Sequence, residues 1–430
     1  MNRTIRRFIF EYILKAPPIV WVLLGFSMCY LLFFIRPTFF SSQVMQFTRY
    51  VPAINPIGLD LKNTIRTAES WFVAKQNPYI GNTQYAYPPL TSILVIPLLF
   101  VNLSLAYKIV TLVNVVCYVM ITFVFPLWTG EERHVSPLLI LVLITGLFSY
   151  GFQFELERGQ FNVLAVFMCF LAIWIYHFHN RYRYMAYILF TISVQLKVFP
   201  LIFIVMFIGN WEDWRNNIKR LLLLISVNLA IFFVLGPNMF VDFVKAILSQ
   251  TVDPGIWTGN HSIRSFVTLF SKIAYDHGWV WVTQYSGLAQ IVLLAITIIF
   301  MSLILCQTYR LKQKGINPFL LLACTIGALL IPSASHDYTL SFLATPVAVL
   351  FSNKRFWDRA NSPSQHIFII EMLFIFSAAY SSTLFSYANK PLMVNNNFPA
   401  LFTMLIVVTL LSLVSKQSLE GAVSEPIEIA

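Results

Sequence analysis

Apolar runs that carry almost no charge recur along this chain from end to end, separated by short basic loops, and no other feature constrains its folding so strongly. A helix that crosses the hydrocarbon core of a bilayer needs about 20 mostly apolar residues. Runs of this kind stand at Pro18–Ile35 and then at 88–102, 106–127, 137–152, 161–178, 184–197, 198–210, 219–236, 286–308, 318–332, 337–352, 366–387 and 397–415. Several are too short for a full crossing, which predicts half-spans, tilted pairs or re-entrant segments among them. Charged residues are 11% of the chain, against about 25% in soluble domains, so a soluble multi-domain protein is excluded. The expected fold is all-α: a polytopic transmembrane helical protein with about 11–13 membrane segments. Residues 1–415 are expected to form one membrane domain and 416–430 a polar, disordered tail.

The charge is as informative as its scarcity. Lys+Arg number 29 and Asp+Glu 18, a net charge of +11. The basic residues fall in the short loops Asn2–Lys15, His179–Arg183, Arg215–Arg220, Arg310–Lys314 and Lys354–Arg359. That pattern follows the positive-inside rule, so these loops are expected in the cytoplasm, and no nucleic-acid partner is expected. The long polar segments 36–87 and 237–285 then form first and second outer loops. The junctions Glu155–Asn162, Lys197–Pro200 and Ser335–Asp337 fall on the same side. Consistent parity requires one run between 88 and 160 not to cross, and Pro88–Asn102, short and bounded by proline, is the first candidate. The sequence MNRTIRRFIFEYILK has no small-residue cleavage site after its first apolar run and reads as an uncleaved cytoplasmic flank. The five cysteines all sit in apolar stretches without C-x-x-C spacing and read as small buried hydrophobes.

Ionisable groups at membrane depth are costly, so their clustering at one side marks candidate function. In the first outer loop, Leu61, Ile65, Ala68 and Phe72 recur at helical spacing opposite Asn63, Arg66 and Ser70, the pattern of an interfacial amphipathic helix. Asp60 stands at its start, either as an N-cap or as a carboxylate with chemistry at the membrane surface. Tyr79, Tyr85 and Tyr87 follow, as interfacial belt residues or as platforms for sugar stacking. ELERGQFN, Glu155–Asn162, interrupts an apolar run as a polar turn or as part of a site. Lys197 in QLKVFP either snorkels or faces a cavity that holds an anion, with Pro200 freeing backbone groups nearby. His261 and Arg264 lie three apart, on one helix face or in a surface loop. His336 and Asp337 split two apolar runs, as phosphate donors or as a tight outer turn.

An Asp after the first span, then NPY, YPPL, GQFN, K-x-x-P, N-H-S-I-R and S-x-S-H in that order resembles the glycosyltransferase family 87 membrane proteins, of the GT-C fold superfamily. The resemblance covers roughly residues 58 to 345. The chain departs from the usual N-Q-S with Asn260, His261 and Ser262, and lacks a denser His pair near Ser335–His336. The resemblance implies inverting transfer of a mannose-like hexose from a polyprenyl-phosphate sugar to a hydroxyl of a lipid or glycan, on the extracytoplasmic face of the cell membrane. It puts the family's catalytic Asp at Asp60, as general base. Lys197, Arg158, Arg264 and His336 are the cations for the leaving phosphate, with His336 counted among the catalytic groups. Gln160, Asn162, His261, Tyr79 and Tyr87 complete the expected substrate contacts. No metal or other cofactor is expected, because the leaving group is a phosphate monoester. The rival reading is a transporter or flippase of a lipid-linked sugar, since broken helices and a buried lysine suit a midplane site. Against it, the halves of the chain show no evident similarity, and the polarity gathers on one side.

Overall fold

The computed structural model describes residues 57–80, 85–129, 137–147, 149–252, 259–311, 315–352 and 396–423. The expected first span Pro18–Ile35, the basic loops Asn2–Lys15 and Lys354–Arg359, and the run at 366–387 lie outside the described residues. Among the described residues there are helices, 3₁₀ turns and one isolated β-bridge, Asn260 to His336, but no strand.

The first helix, α1 (Leu59–Phe72), starts at Gly58, whose φ of 71° is the left-handed conformation that glycine adopts without strain. Leu61 and Ala68 are buried with Val95, Ala106, Val110 and Phe161. Phe72, at the far end of the same apolar stripe, is 40% exposed; the buried face is completed by Thr64 and Thr67, whose hydroxyls bond back to the carbonyls of Asp60 and Asn63. The run at 88–102 breaks into α2 (Pro89–Leu94) and a 3₁₀ turn, Ile96–Phe100. Six helical residues reach only about 9 Å, less than a third of a bilayer core.

Helix α3 (Leu103–Val119) is capped by Asn102, whose side chain accepts from the Leu105 N–H at 2.8 Å. It continues through a π-turn at Met120–Val124 into Phe125–Thr129. The continuous stretch of 27 residues is long and apolar enough to cross a membrane. The run at 137–152 divides at Ser149: α4 (Pro137–Leu147) ends and α5 (Tyr150–Arg158) begins with the Ser149 hydroxyl as its cap. Gly159, at φ 66°, ends α5, and α6 (Asn162–Phe178) leaves at 113° to it. The pair makes a broken span or a re-entrant loop.

Helix α7 (Arg183–Leu196) runs back along α6, and the run at 198–210 is a 3₁₀ segment, Phe199–Phe207, opened by Pro200. Helices α8 (Trp214–Ile231), α9 (Pro237–Val252) and α10 (Ile263–Asp276) follow, with Asp213 and Ser262 capping α8 and α10. The 25-residue α11 (Ser286–Arg310) is the second helix long enough to cross. It packs on α12 (Pro318–Leu330), α12 is buried on all sides from Leu320 to Leu330, and Gly327 lets the Met301 side chain approach closely. The opposite face of α11 exposes Leu288, Ile291, Ile299 and Leu303, an apolar surface of the kind lipid covers. A 3₁₀ turn, Asp337–Leu343, leads into α13 (Ala344–Ser352). The last helix, α14 (Phe398–Val423), runs into the segment expected as a disordered tail.

Candidate active site

The bend at Gly159 decides where the chemistry gathers. A Cβ there would stand 2.8 Å from Leu61 Cβ, so only glycine lets the turn 156–160 lie against α1. Three hydrogen bonds fasten the turn: Gly58 N–H to Glu157 O at 2.7 Å, Tyr107 hydroxyl to Leu156 O at 2.9 Å, and Asn114 amide to Gln160 O at 2.7 Å. Asp60, in the first turn of α1, therefore faces Gln160 and Arg158 across the bend.

Asp60 does not act as the helix cap. The cap position is Gly58, and no side chain caps α1. Asp60 Oδ2 instead accepts a hydrogen bond from Gln160 Nε2 at 2.5 Å, and Oδ1 lies 3.9 Å from the Arg158 guanidinium. The carboxylate is 27% exposed, partly desolvated but open on one side. The other end of Gln160 is more crowded. Its Oε1 accepts from the Tyr87 hydroxyl at 2.5 Å, from Lys197 Nζ at 3.0 Å and, at 3.4 Å, from Asn162 Nδ2.

Lys197 does not snorkel. It stands just past the end of α7, with extended backbone, and its ammonium lies 3.8 Å from the centre of the Tyr87 ring. Glu155 and Asp60 are the anions within its electrostatic reach. Glu155 is fully buried, and its two oxygens accept from the Asn162 backbone N–H at 2.8 Å, the Asn162 side-chain amide at 2.8 Å and the Val163 N–H at 3.1 Å. It thus satisfies the free N–H groups at the start of α6 while supplying a counter-charge to Lys197. The Asn162 side chain is spent on Glu155 and Gln160, so its visible role is to hold the turn.

Tyr79 is also behind the site. It is 6% exposed, packs with Tyr85 and Phe243, and donates to the Tyr87 carbonyl at 2.8 Å. Asn77 of the NPY motif caps this turn at the Tyr79 N–H and donates to Asp242 of α9 at 2.8 Å, joining the two long polar segments.

The second half of the cluster comes from 259–262 and 333–338. The Asn260 side chain accepts from the Ser335 N–H at 3.0 Å, and His261 N–H donates to Ser335 O at 2.7 Å. His261, expected to touch substrate, is fully buried with both ring nitrogens engaged. Nδ1 accepts from the Asn397 N–H at 3.2 Å, so Nε2 is the atom facing Asp337 Oδ1 at 2.8 Å. His261 bridges three chain segments as a strut, through Asp337, Asn397 and its own backbone contact with Ser335. The strut holds His336, which lies within electrostatic reach of Lys197 and Arg158 and stacks edgewise on Tyr338 at 5.5 Å.

The structure thus brings Asp60, Arg158, Gln160, Asn162, Lys197, Tyr87 and His336 together. Arg264 is half-buried, and no hydrogen bond or ion pair links its guanidinium to this group among the described residues. Glu155, named in the sequence only as the start of ELERGQFN, and Tyr338, not named there, also belong to this group. Glu155 is the buried counter-charge. Tyr338 lies within electrostatic reach of Asp60, Glu155 and Arg158 and packs on Phe154 at 5.7 Å. Its only sequence signal is an aromatic two residues after His336. Among the described residues, no three His, Cys, Asp or Glu side chains gather as a metal site.

A sequence model of glycosyltransferase family 87 matches residues 85–333. The chain belongs to glycosyltransferase family 87. No curated protein matches it. Family 87 membership implies glycosyltransferase activity, with a sugar donor and an acceptor as substrates. Together with the apolar helices it makes the chain a membrane glycosyltransferase. Arg158, Gln160, Lys197 and Arg264 fall inside the matched stretch, whereas Asp60 precedes it and His336 follows it. The hydrogen bond from Gln160 ties Asp60 to the family-defining region.

Proposed function

We propose that this polytopic family 87 protein, of GT-C type, moves a hexose, mannose-like, from a polyprenyl-phosphate sugar to a hydroxyl of a lipid or glycan, with inversion at the anomeric carbon and on the extracytoplasmic face of the cell membrane. The observation that carries this reading is a partly buried carboxylate, Asp60, held at one oxygen by Gln160 and set beside Arg158 and Lys197. Base and cations together match an acyl-free substitution in which a proton leaves the nucleophile and negative charge collects on a phosphate.

The steps balance without a further reactant. The acceptor hydroxyl gives its proton to Asp60 as its oxygen forms a bond to the anomeric carbon. The bond from that carbon to the donor phosphate oxygen breaks, and its electron pair stays on the polyprenyl phosphate. Lys197 and Arg158 meet that charge, with the His336 ring as an N–H donor, in a water-poor setting where each interaction is stronger than in bulk water. Phosphate-monoester departure calls on these side-chain cations and not on a metal. Helix α1, amphipathic beside the site, gives the lipid-linked donor and the acceptor a place to arrive from the membrane surface.

The test is incubation of the purified protein with a panel of radiolabelled polyprenyl-phosphate sugars and a lipid extract of the host. Transfer of label to a lipid or glycan product, with release of polyprenyl phosphate, is expected for one hexose donor. Movement of the intact donor across a vesicle membrane without any transfer would overturn the reading in favour of a flippase.

A further inference from the structure

Gln160 carries more contacts than a substrate-binding amide has any need for. The oxygen and nitrogen of an amide are alike in shape, so its orientation is set by its partners. Here the partners leave no choice. Tyr87 and Lys197 both donate, at 2.5 and 3.0 Å, and fill the two lone pairs of Oε1. A flipped amide would aim its N–H bonds at an ammonium, which has no acceptor. The nitrogen must therefore face Asp60, where it donates to Oδ2 at 2.5 Å. The side chain is 4% exposed, so bulk water does not compete for these contacts.

We infer that Gln160 is a positioning residue that locks the Asp60 carboxylate and the Lys197 ammonium at the two ends of one amide, leaving Asp60 Oδ1 as the oxygen that receives the acceptor's proton. This rests on the reading of Asp60 as the base. Oδ2 is committed to the amide, whereas Oδ1 accepts no hydrogen bond among the described residues and has Arg158 at 3.9 Å, beyond hydrogen-bond reach. Lys197 polarises the amide through Oε1, which strengthens the donation from Nε2; chained hydrogen bonds reinforce one another in this way. The charge of the cation for the leaving phosphate is thereby coupled to the carboxylate of the base, and the distance between them is held by a rigid planar group.

The groups facing Asp60 set what a change at Gln160 does. Arg158 lies on α5, Lys197 after α7, Tyr87 on the preceding loop and Tyr338 in the 3₁₀ turn, while Lys62 shares its own helix. Glu155 shares Lys197 with it. Gln160→Glu keeps the acceptors for Lys197 and Tyr87 but sets an oxygen against Asp60 Oδ2. Adjacent carboxylates favour the protonated form of one of them. The acidic limb of the kcat profile should therefore move to higher pH by about one unit or more. Gln160→Asn keeps the amide but is one methylene too short to span both partners. It should lose about 10²-fold in kcat, the usual effect of a 1 Å misplacement, with donor KM nearly unchanged.

Wild type, Gln160→Glu, Gln160→Asn and Asp60→Asn are assayed with radiolabelled polyprenyl-phosphate mannose and host lipid extract. Difference infrared titration of the Asp60 carboxyl, assigned by its loss in Asp60→Asn, supplies a readout that needs no turnover. The expected result is a raised acid limb and a raised infrared midpoint in Gln160→Glu, and a kcat defect in Gln160→Asn. A donor KM raised tenfold at unchanged kcat would make Gln160 a substrate contact and overturn the inference. So would an infrared midpoint equal to wild type in Gln160→Glu. An active Asp60→Asn protein would remove the reading beneath it, while an inactive one beside a Gln160→Glu of wild-type profile would remove only the positioning role.

Discussion

At the residue scale, Asp60 and Lys197 do different work, and their variants should separate. Asp60→Asn keeps the size of the side chain and an oxygen for Gln160, but it takes no proton. Turnover should fall about 10²–10⁴-fold, the usual worth of a positioned base, with the melting temperature nearly intact because Asp60 caps nothing. Measuring turnover and melting on one preparation checks both halves; near-normal transfer would take Asp60 out of the mechanism. Lys197→Met removes a cation, and the donor is where that is felt. A hydrogen bond to a charged group is worth about 1.5–3 kcal/mol, so donor KM should rise about 10–100-fold. It also strips buried Glu155 of its counter-charge, which should lower the melting temperature. Lys197→Arg restores the charge and should recover part of both losses. Donor KM at the wild-type value in Lys197→Met would end the phosphate role.

At the element scale, one bend carries the geometry. Helices α5 and α6 turn by 113° around Gly159, and the turn rests on α1. Gly159→Ala forces a Cβ into the left-handed region, at about 1–2 kcal/mol, and against Leu61 at 2.8 Å. Leu61 adjoins Asp60, so relief of the clash pushes α1 off the turn. The expected outcome is a lower melting temperature together with a turnover loss of about 10²-fold. A variant that melts early yet turns over normally would show that α1 tolerates the shift. Much of the element pattern was readable in the sequence. Asn102, Ser149, Asp213, Ser262 and Asn317 each cap a helix through a side-chain oxygen, as short polar residues before apolar runs do. The run at 198–210 was not: its composition suits a span, but Pro200 opens a 3₁₀ segment. Hydropathy reports burial and is silent on which hydrogen-bond pattern the backbone adopts.

At the scale of the whole molecule, distant segments are joined by buried polar contacts. His261 links Asp337 to Asn397 at the start of α14. Asp337→Ala leaves a fully buried ring nitrogen without its acceptor, at about 1–3 kcal/mol. The melting temperature should drop, and donor KM should change only as far as the loosened strut lets His336 move. A rise in KM without thermal loss would return His261 to the substrate. Orientation in the membrane is a second test at this scale. From the basic-loop asymmetry, Lys75→Cys should react with an impermeant thiol reagent from the extracytoplasmic side, and Arg310→Cys from the cytoplasmic side, in a background lacking the native cysteines. Labelling of Lys75→Cys from the cytoplasm alone would invert the proposed topology.

What the sequence by itself determined is where apolar helices form and which polar residues interrupt them, because burial and capping are read from neighbours a few positions away. The placement of charge within apolar runs singled out Asp60, Lys197 and His336, and the motif order added the family and their expected roles. Only the tertiary structure decided how those candidates are used. Gln160 reaches Asp60 across 100 positions of the chain and Lys197 across 37. Neither pairing has a local signature, since each depends on a bend, a helix crossing and the handedness of one glycine. For the same reason the buried partners of His261 and Tyr79 carry no local signal: a side chain's chemistry is local, but the direction it faces is set by everything packed around it.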